Sequence, residues 1–194
     1  MLDLSGFFRA YSSQFWASDD HWELLQDLPD GHQGTIATLQ VMRWFCRRDC
    51  DSAFTTAITK RLLESRPKPT PVVETLFLFA RDCITFREDT GPNGEDDIER
   101  IADFERTTRL GYGDCDDKVI WLGTGLLNRG ISCRFRVQSY GETWDHVYLE
   151  FWSWPLWRWV SLDPTADGHG NSPIAEIGWR QKLPVTGREM IYPI

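Results

Sequence analysis

One cysteine in this chain stands where a nucleophile would gain reactivity. Cys115 lies in the segment Gly111–Val119, GYGDCDDKV, where two glycines precede the start of a predicted helix. Asp114 is a good N-cap residue, and a thiol at a helix N-terminus loses its proton more easily because of the helix dipole. A thiolate attacks carbonyl carbon, so residue type and position together predict a cysteine nucleophile. Asp116 and Asp117 oppose thiolate formation, and the thiol therefore needs a cationic partner.

Two later segments contain candidates for that partner and its support. His146 lies in the strand-like run WDHVYLE, and Asp163 follows the strand-like run WVSL. Asp145 points away from the face that carries His146, because side chains alternate along a strand, and this makes it a poor orienting partner. Pro155 disfavours a two-residue loop between the runs, so we expect a slightly longer or bulged one. The resulting hairpin makes His146 and Asp163 near neighbours across paired strands.

Taken together, the motifs GDCDD, DHVYLE and WVSLDPT closely resemble those of the transglutaminase-like superfamily of cysteine enzymes. That family has cysteine, histidine and aspartate in this chain order, and the similarity runs from Pro71 to Thr165. The chain is most similar to compact versions from bacteria and their phages. The resemblance implies that Cys115 is the nucleophile, His146 the base and Asp163 the residue that orients the base.

The same resemblance implies an α+β fold with a papain-like core, in which the Cys115 helix packs on a small antiparallel sheet. It implies a thiol-dependent amide hydrolase, similar to a cysteine peptidase, that acts on a protein or peptide through an acyl-enzyme. Two alternatives stay open: a protein cross-linking transglutaminase, and a bacterial or phage assembly protein that retains the fold without activity. The matched stretch includes no added β-domain to guide a lysine, so we expect hydrolysis rather than cross-linking. No cofactor is expected.

Composition narrows the choice of partners. The net charge is −8 and the sequence pI is about 5.0, whereas general nucleic-acid binding requires a basic face. The N-terminus lacks the pattern of a signal peptide, and no apolar run reaches the roughly 18 residues of a membrane helix. The five cysteines form no disulfide pattern, which favours a reducing compartment. We therefore expect no nucleic-acid or membrane partner and a cytoplasmic location, with virion association if the gene is phage-encoded.

The elements that position the site form two predicted regions of one compact unit: an N-terminal helical region, 1–70, and a transglutaminase-like domain, 71–194. In the first region, Asp19 and Asp20 are predicted to cap a short helix that runs to Leu28, and Ser52 is predicted to cap a later one. We interpret this region as a helical buttress or, alternatively, as a docking surface for a partner such as a virion component.

The first helix of the second region has an apolar stripe at helical spacing. The stripe comprises Val73, Leu76, Phe77, Ala80 and Ile84. Within the Cys115 helix, Gly123 and Gly125 depart from the family and each costs about 1 kcal/mol relative to alanine.

Two patterns resemble metal sites, but neither is complete. The acidic loop after Arg87 has Gly91 and Arg100 where a calcium loop needs carboxylate ligands. Cys46 and Cys50 have helical i, i+4 spacing, but no second ligand pair lies nearby in sequence. The sequence therefore predicts no metal site, and the four cysteines other than Cys115 are interpreted as small buried apolar residues.

Two further expectations concern the surroundings of the site. The backbone N–H of Cys115 is a natural oxyanion donor, and Tyr112 is a candidate second donor by proximity alone. The five tryptophans between Trp144 and Trp159 are expected in the core or at the rim of the sheet, with part of the cluster lining the cleft near His146.

Overall fold

The computed structural model describes residues 22–25, 32–65, 71–89, 99–139, 144, 146–165 and 188–194. Its helices are α1 (His32–Asp49), α2 (Ala53–Glu64), α3 (Val72–Asp82), α4 (Phe104–Leu110) and α5 (Cys115–Asn128). Its strands are β1 (Trp22–Leu25), β2 (Thr85–Phe86), β3 (Glu99–Ala102), β4 (Tyr112–Gly113), β5 (Cys133–Gln138), β6 (His146–Ser153), β7 (Arg158–Leu162) and β8 (Glu189–Pro193).

Helix α5 is the centre of the packing. The other four helices and the inner face of the main sheet all contact it. Its side chains Val119, Ile120, Trp121 and Leu122 are completely buried. Trp121 stacks between Phe79 of α3 and Phe104 of α4, with ring centroids 4.8 and 5.0 Å away. The predicted arrangement, a helix carrying the candidate nucleophile packed on a small antiparallel sheet, is confirmed.

Helices α1 and α2 belong to the predicted N-terminal region and pack directly on α5. Ser52 caps α2 as predicted, because its hydroxyl accepts a hydrogen bond from the amide of Thr55 at 3.0 Å. The predicted short helix that ends at Leu28 is wrong for residues 22–25, which form strand β1 and pair antiparallel with β3. Pairing with a strand distant in sequence overrides the local helix signal. Residues 26–31, where that helix was to end, lie outside the described ranges.

The main sheet has the strand order β7-β6-β5-β8, and all its pairs are antiparallel. Its inner face is apolar and covers α5, with Phe135, Leu149 and Leu162 buried. The five residues of the predicted α3 stripe are all buried too. Gly123 of α5 faces this sheet, and an added Cβ would lie 3.2 Å from Leu149 Cδ1 and 3.3 Å from Cys46 Sγ. Close approach of α5 to β6 and α1 thus explains a glycine in a helix interior.

On the outer face of the sheet, an ion-pair network surrounds Glu150. The carboxylate of this buried residue accepts hydrogen bonds from Arg134 at 2.7 Å and from Arg136 at 2.8 Å. Arg136 also pairs with Glu189 and thereby links β6, β5 and β8. Because the Glu150 side chain is 5% exposed, its charge depends on these two arginines.

The turn between β6 and β7 is a four-residue loop, since Ser153 pairs with Arg158. This agrees with the expected longer loop. The register brings the beginning of β6 and the residues after β7 to the same end of the sheet. No helix among the described residues is long and apolar enough to cross a membrane.

Candidate active site

The N-terminus of α5 holds Cys115 at the first helical position. The Asp114 carboxylate accepts hydrogen bonds from the amides of Asp116 and Asp117 at 3.0 and 3.2 Å, which confirms the predicted cap. That cap satisfies the second and third amides of the helix and leaves the first, which belongs to Cys115. Within the described ranges, the Cys115 amide donates to no acceptor. This donor therefore remains available beside its own thiol.

The Cys115 thiol is half-buried and lies against two different neighbours. It donates to Asp116 Oδ1 at 3.5 Å, and it accepts a hydrogen bond from the backbone amide of Val147 in β6. Burial raises the pKa of Cys115 well above its usual value, and the carboxylates of Asp116 and Asp114 raise this pKa further. The hydrogen bond from Val147 has the opposite effect on the pKa. The resting thiol is thus held in its protonated form.

His146 and Asp163 are in direct contact. The imidazole Nε2 lies 2.7 Å from Asp163 Oδ2, and the side chains are only 11% and 5% exposed. Because Nε2 faces Asp163, the opposite ring nitrogen, Nδ1, is the atom left for a second partner. His146 is also adjacent in the chain to Val147, whose amide contacts the Cys115 sulfur. The imidazole–carboxylate link that the hairpin predicted is therefore present.

The other link of the predicted chain, from the thiol to the imidazole, is not a hydrogen bond in this structure. The thiol donates to Asp116 instead. The assignment of Cys115, His146 and Asp163 as a catalytic set thus stays a prediction. The arrangement places the thiol, its backbone amide and a supported imidazole at the same end of α5 and β6.

Thr165 supports Asp163 and was missed in the sequence. Its amide and its hydroxyl donate to Asp163 Oδ1 at 2.9 and 2.6 Å. Burial alone would raise the pKa of Asp163, but the hydrogen bonds from His146 and Thr165 outweigh it and lower the pKa below its usual value. An aspartate commonly bonds to the backbone two residues later, so the motif Asp-Pro-Thr held a usable signal.

The three acidic residues around Cys115 have separate roles. Asp114 caps the helix and Asp116 contacts the thiol, whereas Asp117 Oδ1 accepts a hydrogen bond from the Ala102 amide of β3 at 2.6 Å. Burial, reinforced by the charges of Asp114 and Asp89, raises the pKa of Asp117 well above its usual value. An added Cβ on Gly113 would lie 2.5 Å from Asp117 Cβ, so the turn before the nucleophile requires glycine.

A cavity of about 130 Å³ lies behind this turn. Gly113 and Asp117 line it, together with Tyr112, whose ring stacks under the Arg87 guanidinium at 4.7 Å. Neither Cys115 nor His146 lines this cavity. Tyr112 as a second oxyanion donor stays a prediction.

The described residues contain one group whose atoms are close enough to share a metal ion: Asp114, Cys115 and Asp116, with ligand atoms within 4.8 Å of one another. Asp114 uses an oxygen of its carboxylate as the helix cap.

Cys46 and Cys50 point to different acceptors, because their thiols donate to Ile120 O and Arg47 O. Burial raises the pKa of Cys46 to about 12.

Four of the five clustered tryptophans lie away from His146. Trp152 and Trp159 pair across β6 and β7, and Trp154 and Trp157 occupy the loop between these strands. This loop is at the opposite end of the strands from His146. The length of β6 separates these four residues from His146, so Trp144, two residues before His146, is the member of the cluster for which a place in the cleft stays a prediction.

A comparison with known protein families agrees with the fold. Residues 56–164 match the sequence model of the transglutaminase-like superfamily. This match covers more than half of the 194 residues, and the protein belongs to that superfamily. It ends one residue after Asp163 and includes Cys115 and His146. No curated protein matches the chain.

Among solved structures, a candidate cysteine protease from Cytophaga hutchinsonii aligns with a TM-score of 0.46 at 11% identity, covering 74% of this chain and 49% of its own. The periplasmic domain of TgpA from Pseudomonas aeruginosa, bound to ethylmercury, aligns with a TM-score of 0.40 at 18% identity. The alignment covers 63% of this chain and 49% of the other. A candidate protease from Parabacteroides distasonis aligns with a TM-score of 0.49 at 10% identity, and the alignment covers 86% of this chain and 34% of the other. The chain thus spans half or less of each of these chains.

Proposed function

We propose that this protein is a thiol-dependent amide hydrolase that acts on a protein or peptide through an acyl-enzyme. Cys115 is the nucleophile, His146 the base and Asp163 the residue that orients the base. The observation that supports this proposal most directly is the 2.7 Å contact between His146 and Asp163, because His146 adjoins Val147, whose amide lowers the pKa of the Cys115 thiol. A cysteine, a base and a group that orients the base are a recurring arrangement for thiol acyl transfer.

In the acylation step, the thiol turns from Asp116 towards His146, and Nδ1 takes its proton. The sulfur attacks the carbonyl carbon of the amide, and the Cys115 backbone amide donates to the oxyanion that forms. The imidazolium then gives its proton to the leaving nitrogen, the C–N bond breaks and an amine departs. A thioester on Cys115 remains.

In the deacylation step, His146 Nδ1 takes a proton from water, and the hydroxide oxygen attacks the thioester carbonyl. The C–S bond breaks, the thiol regains its proton and a carboxylic acid leaves. Asp163 stabilises the imidazolium in both steps and fixes the tautomer that keeps Nδ1 unprotonated at rest. The two hydrogen bonds from Thr165 keep the Asp163 carboxylate ionised and in place.

Because burial and the charges of Asp116 and Asp114 hold the thiol protonated, attack and proton transfer to His146 are coupled. The sulfur at rest is therefore a thiol rather than the thiolate of a preformed ion pair. This distinguishes the proposed mechanism from one that relies on the helix dipole alone to ionise the thiol.

A thiol-directed probe tests this proposal at neutral pH. A fluorescent peptide acyloxymethyl ketone, an electrophile that engages the site as a substrate amide does, should label Cys115 faster than the other four cysteines, and Cys115→Ser should abolish this fast phase together with amide turnover. Cys83→Ser is the matched control, because Cys83 is also a half-buried free cysteine. If Cys115 in the folded protein reacts no faster than Cys83, the hydrolase proposal fails.

The raised pKa of Cys115 favours a second candidate, a structural or assembly protein of a bacterium or phage that keeps the fold without activity. The same experiment separates the two candidates. Uniform inertness of all five cysteines, no turnover of any amide and stable incorporation into a larger assembly would together favour the structural role. Fractionation of the producing cells or particles would then distinguish a cytoplasmic from a virion location.

For the acyl acceptor we propose water rather than a lysine amine. A net charge of −8 attracts cationic amines at long range, but diffuse charge does not exclude water from a thioester. A glutamine-containing peptide incubated with a labelled primary amine distinguishes the two outcomes. Ammonia release without label incorporation is expected, and incorporation that dominates at modest amine concentration would assign a cross-linking activity instead.

A further inference from the structure

The loop between β6 and β7 exposes an unusual amount of apolar surface. Trp154, Leu156 and Trp157 are 67%, 50% and 73% exposed. We call these three residues, with Pro155, the hairpin tip. A fully buried aromatic side chain contributes 150–250 Å², so the two indoles alone expose roughly 300 Å². Apolar patches of this size on a monomer are often functional.

The backbone of the hairpin tip holds the indoles outward. Two consecutive turns close it, with the amides of Leu156 and Trp157 donating to the carbonyls of Ser153 and Trp154 at 3.2 and 3.3 Å. Trp157 has a φ of 50°, a left-handed conformation that glycine adopts far more readily than a large aromatic residue. The Trp154 and Trp157 rings meet edge to face, with centroids 5.5 Å apart at 86°. An indole in so unfavourable a position points to a role for its ring.

Charge around the hairpin tip indicates what it contacts. Arg158 is the only charged residue from Phe151 to Trp159, in a chain whose net charge is −8. It is exposed and follows the tip directly. Tryptophan is enriched at membrane–water interfaces, where its ring lies at headgroup level, and an adjacent arginine reaches phosphate oxygens. No carboxylate in the loop would have to lose its hydration at such an interface.

Area and side-chain chemistry argue against the other common occupants. A stable protein partner, including a second copy of this chain, buries about 800 Å² on each side, more than twice what the two indoles offer. Sugar recognition needs polar side chains beside the rings to bind hydroxyl groups, whereas the tip carries only tryptophan, proline and leucine. A convex apolar projection beside a single cation fits a fluid lipid interface best.

We propose that the hairpin tip is a membrane-interface contact that inserts Trp154, Leu156 and Trp157 among the headgroups of a zwitterionic bilayer. This is a peripheral contact that requires no membrane-spanning helix, and it replaces the expectation of no membrane partner, which depended on the lack of a long apolar run. β6 runs seven residues from Ser153 back to His146, and at 3.3 Å per residue the proposed catalytic residues lie roughly 23 Å from the tip. The site therefore stays open to substrate while the tip is docked.

The test is binding of the full-length protein to large phosphatidylcholine vesicles, measured by co-sedimentation. The double variant W154S/W157N should lower the partition coefficient by at least about tenfold. Trp44→Ser is the matched control, since Trp44 is 54% exposed but lies on α1, and it should bind as the parent does. Circular dichroism and thermal unfolding establish that the variants fold.

Vesicles of phosphatidylcholine brominated on the acyl chains give a second measurement that needs no variant. They should quench part of the parent's tryptophan fluorescence, and this part should disappear in W154S/W157N. Several outcomes would overturn the proposal: a parent that neither sediments with vesicles nor is quenched, a folded double variant that binds equally well, or tip-dependent dimerisation or polysaccharide binding in place of vesicle binding.

Discussion

The contact between Cys115 and Asp116 predicts that a neutral residue at position 116 makes the thiol more reactive. The substitution Asp116→Asn keeps the shape of the side chain and removes its charge. At the observed 3.5 Å, a carboxylate and a thiolate repel each other by about 1.2 kcal/mol at the dielectric constant of water and by about 5 kcal/mol at an effective value of 20. The lower figure alone raises the thiolate population at neutral pH roughly sevenfold.

The rate gain is smaller than the population gain, because a thiolate of lower pKa is a weaker nucleophile. With a Brønsted coefficient near 0.45, nearly half of the logarithmic gain is lost, so we expect alkylation of Cys115 to accelerate about threefold or more. The assay is iodoacetamide alkylation followed by mass spectrometry of the Cys115 peptide across a range of pH. The difference should shrink as pH rises through the pKa of the thiol, because both proteins are then ionised.

Asp117→Asn is the matched control for this prediction. Asp117 lies on the same helical turn, but its carboxylate bonds to the Ala102 amide of β3 and contributes little to the raised pKa of Cys115. A folded Asp116→Asn variant that alkylates at the parental rate or more slowly would refute the electrostatic reasoning. An equal acceleration in Asp117→Asn would show that the effect is not specific to the observed contact.

Three further predictions concern positioning and stability. Asp163→Asn should preserve the fold and lower kcat/KM for amide hydrolysis by up to about 10⁴-fold, and near-parental activity would contradict the orienting role. Gly113→Ala should lower the free energy of unfolding in urea by about 1–3 kcal/mol, because its Cβ would overlap Asp117; an unchanged unfolding midpoint would contradict this. Glu150→Gln should cost up to about 3 kcal/mol, because Arg134 loses its carboxylate partner and Arg136 keeps only Glu189, whereas Glu64→Gln, in an exposed i, i+4 pair with Lys60, should cost less than about 1 kcal/mol.

The sequence predicted best where local signals and the final packing agree. The Asp114 cap, the Ser52 cap and the α3 stripe each depend on residues within one or two helical turns. The proximity of His146 and Asp163 was also predictable, because strand alternation and a short hairpin constrain both residues. These features needed no information about distant parts of the chain.

The features that sequence analysis missed depend on contacts between distant segments. Strand β1 forms by pairing with β3, and nothing within residues 22–25 signals that partner. The sequence shows that Asp116 and Asp117 both oppose thiolate formation, but only the packing of β3 against α5 separates their roles. The exposed position of Trp154 and Trp157 likewise follows from the conformation of the loop, which composition does not specify.

The hydrogen bond from the Cys115 thiol to Asp116 also bears on survival under oxidative stress. Peroxide oxidises thiolates far faster than thiols, so a site that holds its sulfur protonated is resistant to sulfenic acid formation. Substrate that turns the thiol towards His146 would remove this protection only while an amide occupies the site. The unoccupied protein should therefore keep Cys115 reduced in the presence of peroxide concentrations that inactivate cysteine enzymes with a permanently ionised thiol.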